Sequence, residues 1–204
     1  MTLRRRLAAG TVLAIVGMLA LSACGGDDDS GMEGMAGMES SSMSSASGAV
    51  SEEFNAADVT FATDMIPHHQ QAVEMAKLAA GRAQSAEVQD LADQILQAQG
   101  PEIDQMTSWL QSWGKPVPEA MSGMDMSGSM PGMMSPDDMD QLQSADGSQF
   151  DQMFLTMMIE HHRGAIAMAQ TEQSAGANED AIALAEQIEQ AQTEEIATMK
   201  SLLR

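Results

Sequence analysis

Apolar residues recur every three or four positions along much of the chain. Phe61, Met65, Ala72, Met75, Ala76 and Ala79 form one stripe, and Val88, Leu91, Ile95, Ala98, Met106 and Leu110 a second. Ala181, Leu184, Ala185, Ile188, Ala191, Ile196, Met199 and Leu203 form another near the end. This spacing predicts helices that bury one face. Asn55 or Asp58 can cap a first helix running to about Arg82, and a second runs from about Ser85 to Trp113. Further helices are predicted from about Ser148 to Ser174 and from about Asn178 to Leu203, with Gly81 and Gly176 near the bends. Alternation with period two never persists and β-branched residues are sparse, so the class is all-α, most simply a four-helix bundle.

The pattern is also duplicated. Residues 61–76 read FATDMIPHHQQAVEMA and residues 154–169 read FLTMMIEHHRGAIAMA. The offset of 93 holds without a gap from Phe61/Phe154 to Leu110/Leu203. Two helical hairpins, about 54–113 and 147–204, can therefore pack about a pseudo-twofold axis. Between them, residues 114–135 (GKPVPEAMSGMDMSGSMPGMMS) read as a long Met-rich loop. Ser135-Pro136-Asp137-Asp138 then resembles a cap, an N1 proline and an acidic first turn, which predicts a short helix. Pro67 interrupts the first helical pattern at a cost of about 3 kcal/mol, which predicts a kink just before His68.

The first 23 residues have a basic start, an apolar run and small residues before Cys24, which is the composition of a leader peptide. The apolar run of about 17 residues is short for a membrane span, which needs about 20. Cys24, the one cysteine, stands where a bacterial lipobox places its lipidated residue. The expectation is an extracytoplasmic chain anchored by lipid to the outer face of the cell membrane. Residues 24–50 are Gly, Ser, Asp and Met, and read as a flexible tether. Residues 51–204 suffice for one domain. The formal charge of −21 falls to about −24 once Arg4, Arg5 and Arg6 are removed, so nucleic acid and anionic lipid are not expected partners.

All four histidines lie in the duplicated phrase, as His68-His69 and His161-His162. Met65 stands three and four residues before the first pair, and Asp64 four before His68. Met157 and Met158 stand four and three before His161. Such spacings share a helix face, so one turn can offer a thioether and an imidazole, a donor set suited to copper. Met65 and Met75 are separated by roughly 15 Å along a helix and cannot share one ion. Met75 and Met168 therefore belong to the core or to a second site, with the core favoured. Met121, Met124, Met126, Met130, Met133 and Met134 lie in the central loop. There the core explanation fails, and capture of Cu(I) or Ag(I) is expected. No E-x-x-H, H-E-x-x-H or G-x-S-x-G occurs, which excludes a di-iron carboxylate site, a zincin and a serine hydrolase of that kind. Trp109 and Trp113, one turn apart, are expected to pack rather than to contact a metal.

DMIPHHQQAVEMA and MMIEHHRGAIAMA resemble the signature helices of the DUF305 family, M-I-x-H-H-x-x-A-x-x-M-A, over about residues 54–203. The resemblance implies a ferritin-like four-helix fold and an extracytoplasmic copper-binding protein linked to copper tolerance. By position it implies Met65, His68, His69 and Met75 as ligands in the first motif, and Met158, His161, His162 and Met168 in the second. Asp64 becomes Met157 in the second copy, which makes that site softer.

The function expected from residues and resemblance together is copper binding, with Cu(I) favoured, Cu(II) included and Ag(I) as a mimic. The protein would buffer or sequester the ion at the cell surface, the Met-rich loops would collect it, and a copper-handling protein would be a partner. No catalytic constellation is present, so an enzyme is not expected. The alternatives are a copper-dependent oxidoreductase and a metal-free cell-surface interaction module.

Overall fold

The computed structural model describes residues 53–119 and 130–204. The leader, Cys24, the tether, Met121, Met124 and Met126 lie outside the described residues. Among the described residues there are five helices: α1 Ala56–Arg82, α2 Ala86–Ser112, α3 Pro136–Ser144, α4 Gly147–Ala175 and α5 Glu179–Leu202. No strand occurs among the described residues. The four long helices form a bundle of two hairpins, α1–α2 and α4–α5, which meet mainly along α1 and α4.

Local chemistry sets the ends. Asn55 is the N-cap of α1, and its side chain accepts from the Ala57 and Asp58 N–H groups. Asp58 returns the bond by accepting from the Asn55 N–H at 2.5 Å, so both candidate cap residues take part in one capping box. Ser135 and Asp138 form a second box at the start of α3, the short helix expected there. Ser85 and Asn178 cap α2 and α5. α1 passes through Pro67 without ending, and α2 passes through Pro101 in the same way. Ile66, Pro67 and His68 are all buried, and that packing outweighs one lost backbone bond.

The apolar interior is divided in two. One cluster holds Met75, Ala79, Leu91, Ile95, Phe150, Phe154, Met158 and Met199. The other holds Phe61, Met65, Met106, Trp109, Leu110, Ala169, Leu184 and Ile188. Trp109 and Trp113 stack at 6.0 Å, and Phe54 stacks on Trp113 at 4.8 Å, so the two indoles pack as expected. On each long helix the residues between the clusters are polar: His68 and His69 on α1, Gln99 and Glu102 on α2, His161 and His162 on α4, Gln192 and Glu195 on α5. A polar layer thus crosses the middle of the bundle.

The expectation that Met133 and Met134 are solvated is wrong. Both are buried, and Met134 belongs to the first apolar cluster. The end of the central loop folds back onto the bundle, so local composition did not decide their environment.

Candidate metal centre

The repeat places the members of the polar layer in pairs. His68/His161, His69/His162, Gln99/Gln192 and Glu102/Glu195 are each separated by the same 93 residues. All four histidines and both glutamines are buried. The His68 and His161 rings meet across the α1–α4 seam with centroids 3.8 Å apart, tilted by 41°. His162 lies beside His161 at 6.4 Å.

The hydrogen bonds fix which ring nitrogens are free. His69 Nε2 pairs with Glu102 Oε2 at 2.8 Å, and His162 Nε2 pairs with Glu195 Oε2 at 2.6 Å. His68 Nε2 lies 3.0 Å from the Pro131 carbonyl. A carboxylate and a carbonyl only accept, so each of these Nε2 atoms carries the proton and donates. In its neutral form such a ring leaves Nδ1 with a bare lone pair. Among the described residues none of the three Nδ1 atoms has a partner, and neither nitrogen of His161 has one. The Oε1 atoms of Gln99 and Gln192 are also without partners. Buried polar atoms are rarely left unpaired, and here they concentrate in one layer. A carboxylate holding the far nitrogen of a histidine is also a common second contact around metal-bound imidazole.

Electrostatics keep the central pair neutral. Burial drives His68 down to about 3, the neighbouring His69 and His162 push the same way, and the Pro131 carbonyl opposes them. Burial likewise drives His161 well below the usual imidazole range, reinforced by His68, His162 and His69. At neutral pH both rings can offer lone pairs to a cation without first losing a proton.

The returning loop covers this pair. Gln71 holds its backbone at two points: Gln71 Nε2 donates to the Met134 carbonyl at 2.9 Å, and the Met134 N–H donates to Gln71 Oε1 at 2.7 Å. Gly132 takes a left-handed φ of 78°, which favours glycine. Gly164 on α4 is its counterpart, because a Cβ there would overlap the Pro131 carbonyl and lie 3.0 Å from the Gly132 Cα. Position 71 of the first copy is position 164 of the second. The change from Gln to Gly lets a single loop break the twofold: it binds α1 and lies flat on α4.

The other candidates fall in different places. Met65 and Met158 are fully buried one turn before their histidine pairs, but in separate apolar clusters. Met75 is fully buried in the core, as expected, whereas Met168 is half-buried and lines a cavity with Asp64. Met157 packs against the first cluster, and Met130 is half-buried. Among the described residues no group of three or more His, Cys, Asp or Glu side chains is arranged to hold a metal ion. The sequence reading missed Glu102, Glu195, Gln99, Gln192 and Pro131. The offset of 93 carried the signal for the first four, since each pair is identical across the copies.

The DUF305 family model, described as a domain of unknown function, matches residues 58–203. The chain is similar to a solved DUF305 protein of Streptomyces coelicolor, with 37% identity over 72% of this chain and 91% of that one and a TM-score of 0.66. A DUF305 fragment from Deinococcus radiodurans gives 34% identity over 73% and 96% of the two chains, also with a TM-score of 0.66. The Cu(II)-bound form of CopM gives 36% identity over 72% and 95%, with a TM-score of 0.63. CopM has also been solved with Cu(I) and with Ag. No curated protein matches the chain. With the duplicated histidine phrase and the bundle both in place, the chain belongs to the DUF305 family.

Proposed function

We propose that this protein binds copper at the polar layer between its two apolar cores and serves as an extracytoplasmic copper buffer. The observation that carries the reading is the set of bare Nδ1 atoms on buried histidines whose Nε2 atoms are held by Glu102, Glu195 and Pro131. Neutral imidazole suits copper, and buried thioethers one turn away at Met65 and Met158 favour Cu(I). The copper and silver forms of the related CopM support the choice of ion.

On this reading the role is binding rather than turnover, with Glu102 and Glu195 serving to orient His69 and His162. The leader-like first 23 residues and Cys24 support a location outside the cytoplasm with a lipid anchor. Met121, Met124, Met126 and Met130 would collect ions, while Met133 and Met134 serve the fold.

The test is a competition titration of residues 51–204 with Cu(I), Cu(II), Ag(I) and Zn(II) against chelators of known affinity. Stoichiometric Cu(I) and Ag(I) binding is expected, and it should be lost when His68, His69, His161 and His162 are all replaced by Gln. Unchanged binding in a variant that keeps its helical circular dichroism would defeat the assignment.

A further inference from the structure

A cavity of about 350 Å³ opens on the α1–α4 seam beside the first turns of α1 and the last turns of α4. Its walls include Thr60, Phe61, Asp64, Met168, Thr171 and Glu172. Asp64 stands four residues before His68, and Met168 seven after His161. Each pair shares a helix face. At 1.5 Å per residue, the cavity lies roughly 6 Å along α1 from His68 and roughly 10 Å along α4 from His161. Because α1 and α4 run in opposite directions, both steps lead the same way.

Glu172 is the unexplained residue. It is 1% exposed, and neither carboxylate oxygen accepts a hydrogen bond from a fixed donor. Its charged neighbour is Asp58, whose oxygens already accept from the N–H groups of Asn55, Ala177 and Asn178. Two carboxyls can bond only by sharing a proton. Burial, then the bond and charge of Asp58, push Glu172 up to about 8. The Thr60 and Thr171 hydroxyls donate to carbonyls of their own helices, so they do not serve Glu172. Among the described residues no Lys or Arg lines the cavity. The position related to it by the repeat has no such donors: Ala79 stands in place of Glu172, Met157 in place of Asp64, and Met75 of the core in place of Met168.

We infer that this cavity is a docking site for a partly hydrated divalent transition-metal ion, Cu(II) above all, held by the Asp64 and Glu172 carboxylates with the Met168 thioether, the proton shared by Glu172 and Asp58 leaving to solvent as the ion binds. The space exceeds what a bare ion needs, and at about 30 Å³ per water it admits an ion with much of its hydration shell. Carboxylates alone would suit Mg(II) or Ca(II), and the thioether moves the preference toward copper. That the ion then passes to the histidines rests on the proposed copper function; that it docks does not.

Electron paramagnetic resonance of the folded chain titrated with Cu(II) separates the two sites. Histidine-bound Cu(II) shows nitrogen hyperfine structure, and ions at the cavity show an oxygen-rich signal without it. Glu172→Ala, which installs the residue of the first copy, and Asp64→Asn should each weaken the oxygen-rich signal at least tenfold and leave the nitrogen signal in place. Glu172→Gln serves if the Ala variant loses its helical circular dichroism. Asp93→Asn, on the exposed side of α2, should change neither signal. Persistence of the oxygen-rich signal in both Glu172 variants, equal weakening by Asp93→Asn, or its displacement by millimolar Mg(II) would each overturn the inference. A missing nitrogen signal in the unaltered protein would overturn the histidine reading and leave this one standing.

Discussion

Asp58 on α1 accepts hydrogen bonds from the N–H groups of Ala177 and Asn178 at 3.0 and 2.9 Å, at the bend of the second hairpin. Asp151 on α4, its equivalent in the repeat, accepts from the N–H groups of Gln84 and Ser85, both at 3.0 Å, at the bend of the first. Each hairpin therefore uses the first helix of the other to satisfy the donors that open its own second helix. The exchange ties the hairpins together through backbone groups that would otherwise have no partner at a helix start.

Removing either carboxylate should loosen this docking. Asp58→Ala and Asp151→Ala are each expected to cost about 1.5–3 kcal/mol, the usual range for hydrogen bonds to a charged group. Asp58 should cost more because it is fully buried. Thermal and urea unfolding of the two variants measures this.

The same carboxylates set a pH dependence. A free glutamate titrates near 4.5, and Glu172 is pushed up to about 8 in the fold, first by burial and then by Asp58. Between those values the folded chain holds a proton that the unfolded chain has lost, so stability falls as pH rises through that window. Asp58 runs the other way: burial opposes its ionisation, but Glu172 and the N–H groups of Asn55, Asn178 and Ala177 hold it below 3.8, so its contribution is lost only at strongly acid pH. Melting temperatures of the wild type and Glu172→Ala between pH 5 and 8.5 should converge toward the acid end, with the wild type losing stability faster as pH rises. Parallel curves would contradict the assigned shift.

Gly164→Ala should disturb the loop that covers the histidines. The new methyl would overlap the Pro131 carbonyl, and relieving that overlap is expected to cost about 1–3 kcal/mol. Gln71→Ala should cost about 1–3 kcal/mol by orphaning the N–H and carbonyl of Met134. Hydrogen exchange at Met133 and Met134 should rise in both variants, while exchange in α5 changes little.

Glu102→Gln and Glu195→Gln keep side-chain volume but weaken the hold on His69 and His162. If the histidines carry copper, each change should lower copper affinity by about 10- to 100-fold, with a small effect on the melting temperature of the metal-free chain. A chelator competition alongside thermal melts reads both quantities.

The hairpins and the histidine pairs were legible because helical periodicity and a repeat at constant offset can be read directly along the chain. Glu102 and Glu195 were hidden because a glutamate on an amphipathic helix looks like any solvated residue until the histidine opposite is placed. The burial of Met133 and Met134 was misread for the same reason: their composition is that of a loop, and the clamp from Gln71 is a tertiary contact 63 residues away. Pro67 stays inside α1 because packing on both sides offsets the backbone bond that it removes.

The polar layer separates two apolar cores and leaves a row of buried lone pairs unanswered. In the metal-free chain that row is a seam of weakness across the middle of the bundle, because each unanswered group has given up its water without compensation. An ion seated there would stitch all four long helices together at once: two through the imidazoles, two through the glutamates behind them. Cargo and keystone would then be the same atom, and the amount of copper aboard could be read directly from how much heat the fold withstands.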